Sequence, residues 1–205
     1  MEKIGIYGGT FNPIHNGHLN MAKQMGNMLE LDRILIIPAN VPPHKVGVPI
    51  TEEKHRYEMC RLACEESRLF QVCDIELKRE GRSYTVDTLN EISSKYNNSR
   101  LYFMMGSDSF LSVIKWVGFE KIIRLATLCT APRNTKEIPQ LLKMEQLLRS
   151  KGAITRICDI PIMPISSTEI RNRISKGLNV EEVLPQKIVD YIKKNGLYMK
   201  NKGVL

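Results

Sequence analysis

No apolar run in the chain approaches the roughly 20 residues that a helix needs to cross a bilayer, so no membrane span is expected. Tryptophan occurs once, and aromatic residues make up only 6% of the chain. That is too few for the series of stacking rings with which a protein tracks a single-stranded nucleic acid. The five cysteines, Cys60, Cys64, Cys73, Cys129 and Cys158, contain no C-x-x-C pair. Their odd number and apolar surroundings read as buried small hydrophobes, not as a disulfide framework or a zinc site. No run of consecutive basic residues accompanies the net charge of +8. The charge fits a nucleotide, a nucleic acid or a membrane surface as partner, or a basic solvated face, without choosing among them. The N-terminus carries Glu2, Lys3, Gly5 and Gly8 where a secretory signal has a basic then an apolar stretch, so a cytoplasmic protein is expected. Linkers, repeats and low-complexity tracts are also missing. With 205 residues, 42% hydrophobic and 25% charged, the chain reads as one globular domain over 1–205.

What is present is an alternation. The stretches "KIGIY" (3–7), "RILIIP" (33–38), "LFQVCDIEL" (69–77), "LYFMMG" (101–106), "ATLCTA" (126–131) and "TRICDI" (155–160) read as buried strands. Helical patterns lie between and after them, at about 17–30, 52–66, 84–96, 119–124, 136–150, 167–176 and 186–195, with Thr51 as N-cap of the second. This predicts an α/β fold, a Rossmann-like doubly wound parallel sheet with helices on both faces. The C-terminal helices from about 166 pack on that sheet. Ligands of such sheets gather at the carboxyl ends of the strands. Three unusual loops fall there: 8–18, "PANVPPHK" (38–45) and "GSDSF" (106–110).

The first of these is "GGTFNPIHNGH", which is neither a Walker loop nor a dinucleotide fingerprint. Gly8 and Gly9 leave room for a phosphate against bare amides, and Asn12-Pro13 signals a turn. His15 and His18 flank Gly17 where a helix begins, so two imidazoles and free N–H groups can face one anion. A metal site would want a third ligand, and none is obvious in the segment. Far along the chain, "ISSTEIRNRI" (165–174) has the form of a capping box from Ser166 to Glu169. Ser167, Thr168, Arg171 and Arg173 then make a second candidate anion site.

Together these residues carry a resemblance. "GGTFNPIHNGH" resembles the H-x-G-H motif of the nucleotidylyltransferase superfamily, and "ISSTEIR" resembles its second signature, I-S-S-T-x-[IV]-R. "PPHK" (42–45), "SYTVDTL" (83–89), "GSDS" (106–109) and Trp116 narrow the likeness to the bacterial nicotinate-nucleotide adenylyltransferases. The resemblance implies transfer of the adenylyl group of ATP to nicotinate mononucleotide, giving deamido-NAD and pyrophosphate. It implies His15, His18 and Arg171 as catalytic groups, with Gly8, Gly9, Thr10, Phe11, Gly106, Asp108, Ser167 and Arg171 holding ATP. It places His44, Lys45, Thr85, Trp116 and Arg133 on the mononucleotide, with Trp116 stacking on the pyridine ring and amides near Thr85 receiving its carboxylate. Mg²⁺ is implied as cofactor, held mainly by the ATP phosphates with no dedicated protein cage. Nucleic acid and membrane are not implied as partners, and the oligomeric state is left open.

Two positions depart from the family pattern. Position 12, often aspartate, is Asn12, and "APRNTK" lacks the R-P-G order that goes with Arg133 as a ligand. Taken alone, Trp116 also reads as core, Thr85 as a helix cap and Lys45 as a solvated loop charge. Rival readings are transfer to the nicotinamide nucleotide, a shorter phosphopantetheine adenylyltransferase, a cytidylyltransferase, and a basic nucleic-acid-binding module that has lost its chemistry.

Overall fold

Apolar residues occupy both parities of the central strands, and a strand of that kind is stable only when covered on both faces. The computed structural model, which describes residues 1–40 and 50–199, shows this arrangement. The strands are β1 (Glu2–Gly9), β2 (Arg33–Pro38), β3 (Phe70–Val72), β4 (Ser99–Met104), β5 (Ala126–Thr130) and β6 (Thr155–Ile157). They form one sheet in the order β3-β2-β1-β4-β5-β6, with every neighbouring pair parallel. That order reverses direction between β1 and β4, so a crevice opens at their carboxyl ends.

The helices are α1 (Asn16–Leu29), α2 (Glu53–Cys64), α3 (Thr85–Lys95), α4 (Ser107–Ser112), α5 (Phe119–Leu125), α6 (Ile138–Ser150), α7 (Ser167–Ser175) and α8 (Gln186–Lys194). On one face Tyr7, Ile34, Ile36, Met104 and Cys129 share a core with Ala22 and Met25 of α1, Met59 and Cys60 of α2, and Ile188 and Ile192 of α8. The opposite parity, with Ile6, Leu35, Ile37, Phe103 and Leu128, packs on Leu89 of α3, Phe110 of α4, Ile122 of α5 and Leu148 of α6. Each such side chain taken fully out of water contributes about 1.5–3 kcal/mol, so both layers hold the sheet. The doubly wound fold expected from the sequence is the one observed.

Four local expectations are corrected. The strand placed at 69–77 ends at Val72, because Leu77 and Lys78 donate their N–H groups to the Asp74 carbonyl and coil the chain away from the sheet edge. Thr51 does not cap α2; Glu52 precedes the helix without a side-chain cap, and the Thr51 carbonyl instead accepts from Arg56 Nε at 3.0 Å. "GSDSF" is not a loop, since α4 begins at Ser107, a helix of six residues and too short to show a period. Thr85 is the first residue of α3 and Tyr84 stands at its cap position. The cysteines are all free thiols, with Cys60, Cys129 and Cys158 buried. No helix among the described residues is long and apolar enough to cross a membrane.

Candidate active site

β1 ends on Gly8 and Gly9, which pair with Ile37 and Pro38 of β2. Two cavities open on either side of this end, and Gly8, Gly9 and Thr10 line both. The larger, about 700 Å³, holds His15, His18, Arg133, Ser167 and Arg171 on its wall. The smaller, about 380 Å³, holds Glu76, Thr85, Lys115 and Trp116. The molecule thus presents two adjoining compartments with a shared backbone floor at the switch point of the sheet.

The larger compartment is built for anions. Gly17 of α1, Ser107 of α4 and Ser167 and Thr168 of α7 bring the first turns of three helices to its wall. Helix starts expose N–H groups and positive dipole ends, so together they favour a polyphosphate. His15 caps α1: its Nδ1 accepts from the His18 N–H at 3.3 Å, which puts the proton of the neutral ring on Nε2. Burial drives its pKa down to about 4, so at neutral pH His15 is a hydrogen-bond donor and not a charge. His18 stacks on it with ring centroids 3.7 Å apart, and Phe11 meets His18 edge-on at 5.2 Å. Gly17 between them is required by space, since a Cβ there would lie 2.8 Å from Ile165 and 3.0 Å from His15 Nδ1.

The depressed His15 pKa has a measurable consequence. An unfolded histidine takes up its proton near pH 6.5, but the folded one only near 4, so its contribution to stability is complete above 6.5 and lost as pH falls toward 4. The size of that loss is on the order of 3 kcal/mol. His15→Asn keeps a capping oxygen and removes the titration. Urea unfolding at pH 7 and pH 4 is expected to show a smaller acid loss in the variant by about this amount, and identical losses would show that His15 is not the source.

α7 closes the compartment from the far end of the chain. Ser167 Oγ donates to the Pro13 carbonyl at 2.9 Å, and Arg171 Nη1 donates to the Asn12 carbonyl at 2.9 Å. The two sequence motifs are therefore joined by direct hydrogen bonds. Ser166 caps α7 through the Glu169 N–H at 3.2 Å, but the Glu169 carboxylate turns to Arg173, so the reciprocal half of the capping box is not made. Asn12 is buried, and its side-chain oxygen accepts from Tyr198 Oη at 2.8 Å. Burial pushes the Tyr198 hydroxyl up to about 12, which keeps it a donor at neutral pH.

Arg133 stands apart from the group to which the sequence assigned it. It lies on the wall of the larger compartment, 2.5 Å from Asp108, because β5 runs beside β4 and delivers the segment after β5 to the start of α4. Trp116 and Thr85, by contrast, share the smaller compartment. There α3 begins at Thr85, so the N-terminal end of the helix reaches the wall. Trp116 packs edge-on against Phe103 at 6.1 Å and leaves the rest of the ring partly exposed. Sequence reading missed Lys115 and Glu76. Glu76 is buried and accepts from Thr88 Oγ1 at 2.7 Å, with its carboxyl raised by burial. Adjacency to Trp116 was the only signal for Lys115. His44 and Lys45 lie outside the described residues.

Two adjoining compartments sharing a glycine floor at the switch point, one of them walled by His15, His18, Ser167 and Arg171, define a nucleotidyltransferase α/β domain, and the comparisons agree. The model of the cytidylyltransferase-like family matches residues 6–173. The probable nicotinate-nucleotide adenylyltransferase of Clostridium tetani is 38% identical over 97% of this chain and 100% of its own. That of Dictyoglomus thermophilum is 40% identical over 96% of this chain and 100% of its own. The chain belongs to the cytidylyltransferase-like family, within its nicotinate-nucleotide adenylyltransferases. The fold is also that of the Plasmodium falciparum nicotinic acid mononucleotide adenylyltransferase complexed with NaAD, with TM-score 0.77 and 23% identity over 97% of this chain and 98% of that one.

Proposed function

We propose that the chain joins nicotinate mononucleotide to the adenylyl group of ATP, releasing pyrophosphate and forming nicotinate adenine dinucleotide for NAD biosynthesis, in the cytoplasm. The observation that carries this reading is the pair of compartments meeting at Gly8–Gly9–Thr10. One accepts a nucleoside triphosphate, the other a flat anionic ring, and their phosphates converge on the shared floor.

The chemistry asks little of the protein beyond placement and charge. An oxygen of the mononucleotide phosphate attacks the α-phosphorus of ATP, and the bond from that phosphorus to the bridging oxygen breaks, its electron pair leaving with pyrophosphate. The attacking phosphate is already ionised, since its second pKa is about 6, and no general base is required. His18 and the Nε2 proton of His15 donate to the α-phosphoryl oxygens as charge builds there. Ser167 and Arg171 hold the β- and γ-phosphates, and Gly106 and Asp108 receive the adenosine ribose. The position of Arg133 on the larger compartment's wall beside Asp108 supports a role on this ATP side in place of the mononucleotide. In the smaller compartment Trp116 covers the pyridine ring, while Lys115 and the amides at Thr85 face its carboxylate.

Among the described residues no cluster of three or more His, Cys, Asp or Glu side chains could hold a metal ion. The donor set of hydroxyls, amides, imidazoles and guanidinium fits phosphates that carry Mg²⁺ with them. When bound, the ion neutralises charge on the departing pyrophosphate.

Acid and amide substrates separate this reading from its nearest rival. With ATP and Mg²⁺ in a pyrophosphate-release assay, nicotinate mononucleotide is expected to exceed nicotinamide mononucleotide by more than tenfold in kcat/KM, at least about 1.4 kcal/mol of discrimination. Equal rates with the two would count against the assignment of an anion to the Thr85 end of the pocket.

A further inference from the structure

Arg56, on α2, is the largest fully buried side chain among the described residues and is only 2% exposed. Taking a cation out of water costs several kcal/mol, and the usual remedy is a carboxylate. Among the described residues no carboxylate makes an ion pair with Arg56, and Glu53 acts on it only at longer range. Its hydrogen bonds to the described residues all go to main-chain carbonyls: Nη1 to Thr10 at 2.9 Å and Ala39 at 2.6 Å, Nε to Thr51 at 3.0 Å, and Nη2 to Asn40 at 3.3 Å. These carbonyls come from the segment after β1, the segment after β2 and the approach to α2. One planar fork thus fixes the floor shared by the two compartments against its neighbouring walls.

The direction of those bonds matters. In a trans peptide the C=O and the following N–H point in opposite directions. A guanidinium drawing on the Thr10 carbonyl from beneath therefore sends the Phe11 N–H the other way and polarises it. That N–H donates to no main-chain or side-chain acceptor among the described residues, and Phe11 lines the histidine compartment. No ion pair among the described residues neutralises this charge, Glu53 acting on it only at longer range, and burial leaves it poorly screened beneath the point where phosphates meet.

We propose, building on the adenylyl-transfer reading above, that Arg56 is a positioning residue whose buried guanidinium, hydrogen-bonded to carbonyls in place of a carboxylate, clamps Thr10, Ala39 and Asn40 and supplies the Gly8–Thr10 floor with positive potential for phosphate. A residue that only stabilised the fold would affect a nucleoside and its triphosphate alike. A charge under the phosphate floor favours the triphosphate selectively.

The test measures binding of ATP and of adenosine to the full chain by calorimetry, for the wild type, Arg56→Met and Arg56→Lys, each checked by thermal melting. Arg56→Met is expected to weaken ATP at least tenfold and adenosine less than twofold. Arg56→Lys keeps the charge but replaces the fork with a point donor. It is expected to hold the ATP-to-adenosine ratio within threefold of wild type while kcat falls by tenfold or more. Equal weakening of both ligands in Arg56→Met, no weakening of ATP, or loss of the ratio in Arg56→Lys would overturn the proposal. If Arg56→Met does not fold, Arg56→Gln, which also removes the charge, decides by the same ratio; if neither of these folds, Arg56 is a stability residue and the proposal is wrong. Failure of the wild type to release pyrophosphate from ATP and nicotinate mononucleotide would strike the underlying reading instead, and is seen separately.

Discussion

Replacing His18 with alanine is expected to lower kcat by about a hundredfold or more in a protein that still folds. The size follows from what a preorganised donor contributes when it faces developing charge, about 10²–10³ in rate. The stability expectation follows from how the site is built. The cap of α1 is the His15 ring, and it bonds to the main-chain N–H of residue 18, which alanine keeps. What alanine removes is the imidazole stacked at 3.7 Å on His15 and met edge-on by Phe11. Those contacts hold the ring in one orientation, so its donor needs no reorganisation during the reaction. Because the interaction strengthens only as the α-phosphoryl group is attacked, KM for ATP is expected to change by less than about fivefold. Steady-state kinetics with a melting curve beside them give both numbers. A folded variant with unchanged kcat would remove His18 from the catalytic role.

How far the sequence anticipated this site depends on the range over which each feature is determined. The strands were legible because burial on both faces writes itself as continuous apolar runs, as in "RILIIP". The start of α1 and of α7 were legible because a helix terminus is a local event. The bonds that make one site of them were not, since Ser167 reaches Pro13 across 154 positions and Arg171 reaches Asn12 across 159. The position of Arg133 beside Asp108 was not legible for the same reason: its neighbourhood depends on which strand lies beside β4, and spacing does not encode that. β3 was drawn too long because the apolar pattern runs on past Val72, while the turn that ends the strand depends on the Asp74 carbonyl. Arg56 did leave a trace. It shares the buried face of α2 with Met59, Cys60 and Ala63, at the spacing of a core position where an arginine is out of place.

The Arg171→Ala exchange is expected to lower kcat/KM for ATP by about a hundredfold. Among the described residues, two of the five guanidinium N–H donors are used, on the Asn12 carbonyl at 2.9 Å and on Thr168 Oγ1 at 3.2 Å. The remaining donors stay available to phosphate on the wall of the larger compartment. A hydrogen bond to a charged group contributes about 1.5–3 kcal/mol, and a loss near 2.7 kcal/mol corresponds to two orders of magnitude. Arg171→Lys keeps the charge but not the fork, so it should fall between wild type and alanine. The mononucleotide supplies the control. Its compartment touches Arg171 only through the shared floor, so KM for nicotinate mononucleotide should stay within about threefold, provided that Ser167 still holds Pro13 and the loop keeps its place. A rise in that KM matching the loss for ATP would mean instead that Arg171 serves chiefly to hold the Asn12 carbonyl, and that the N-terminal loop moves as one piece when it is gone.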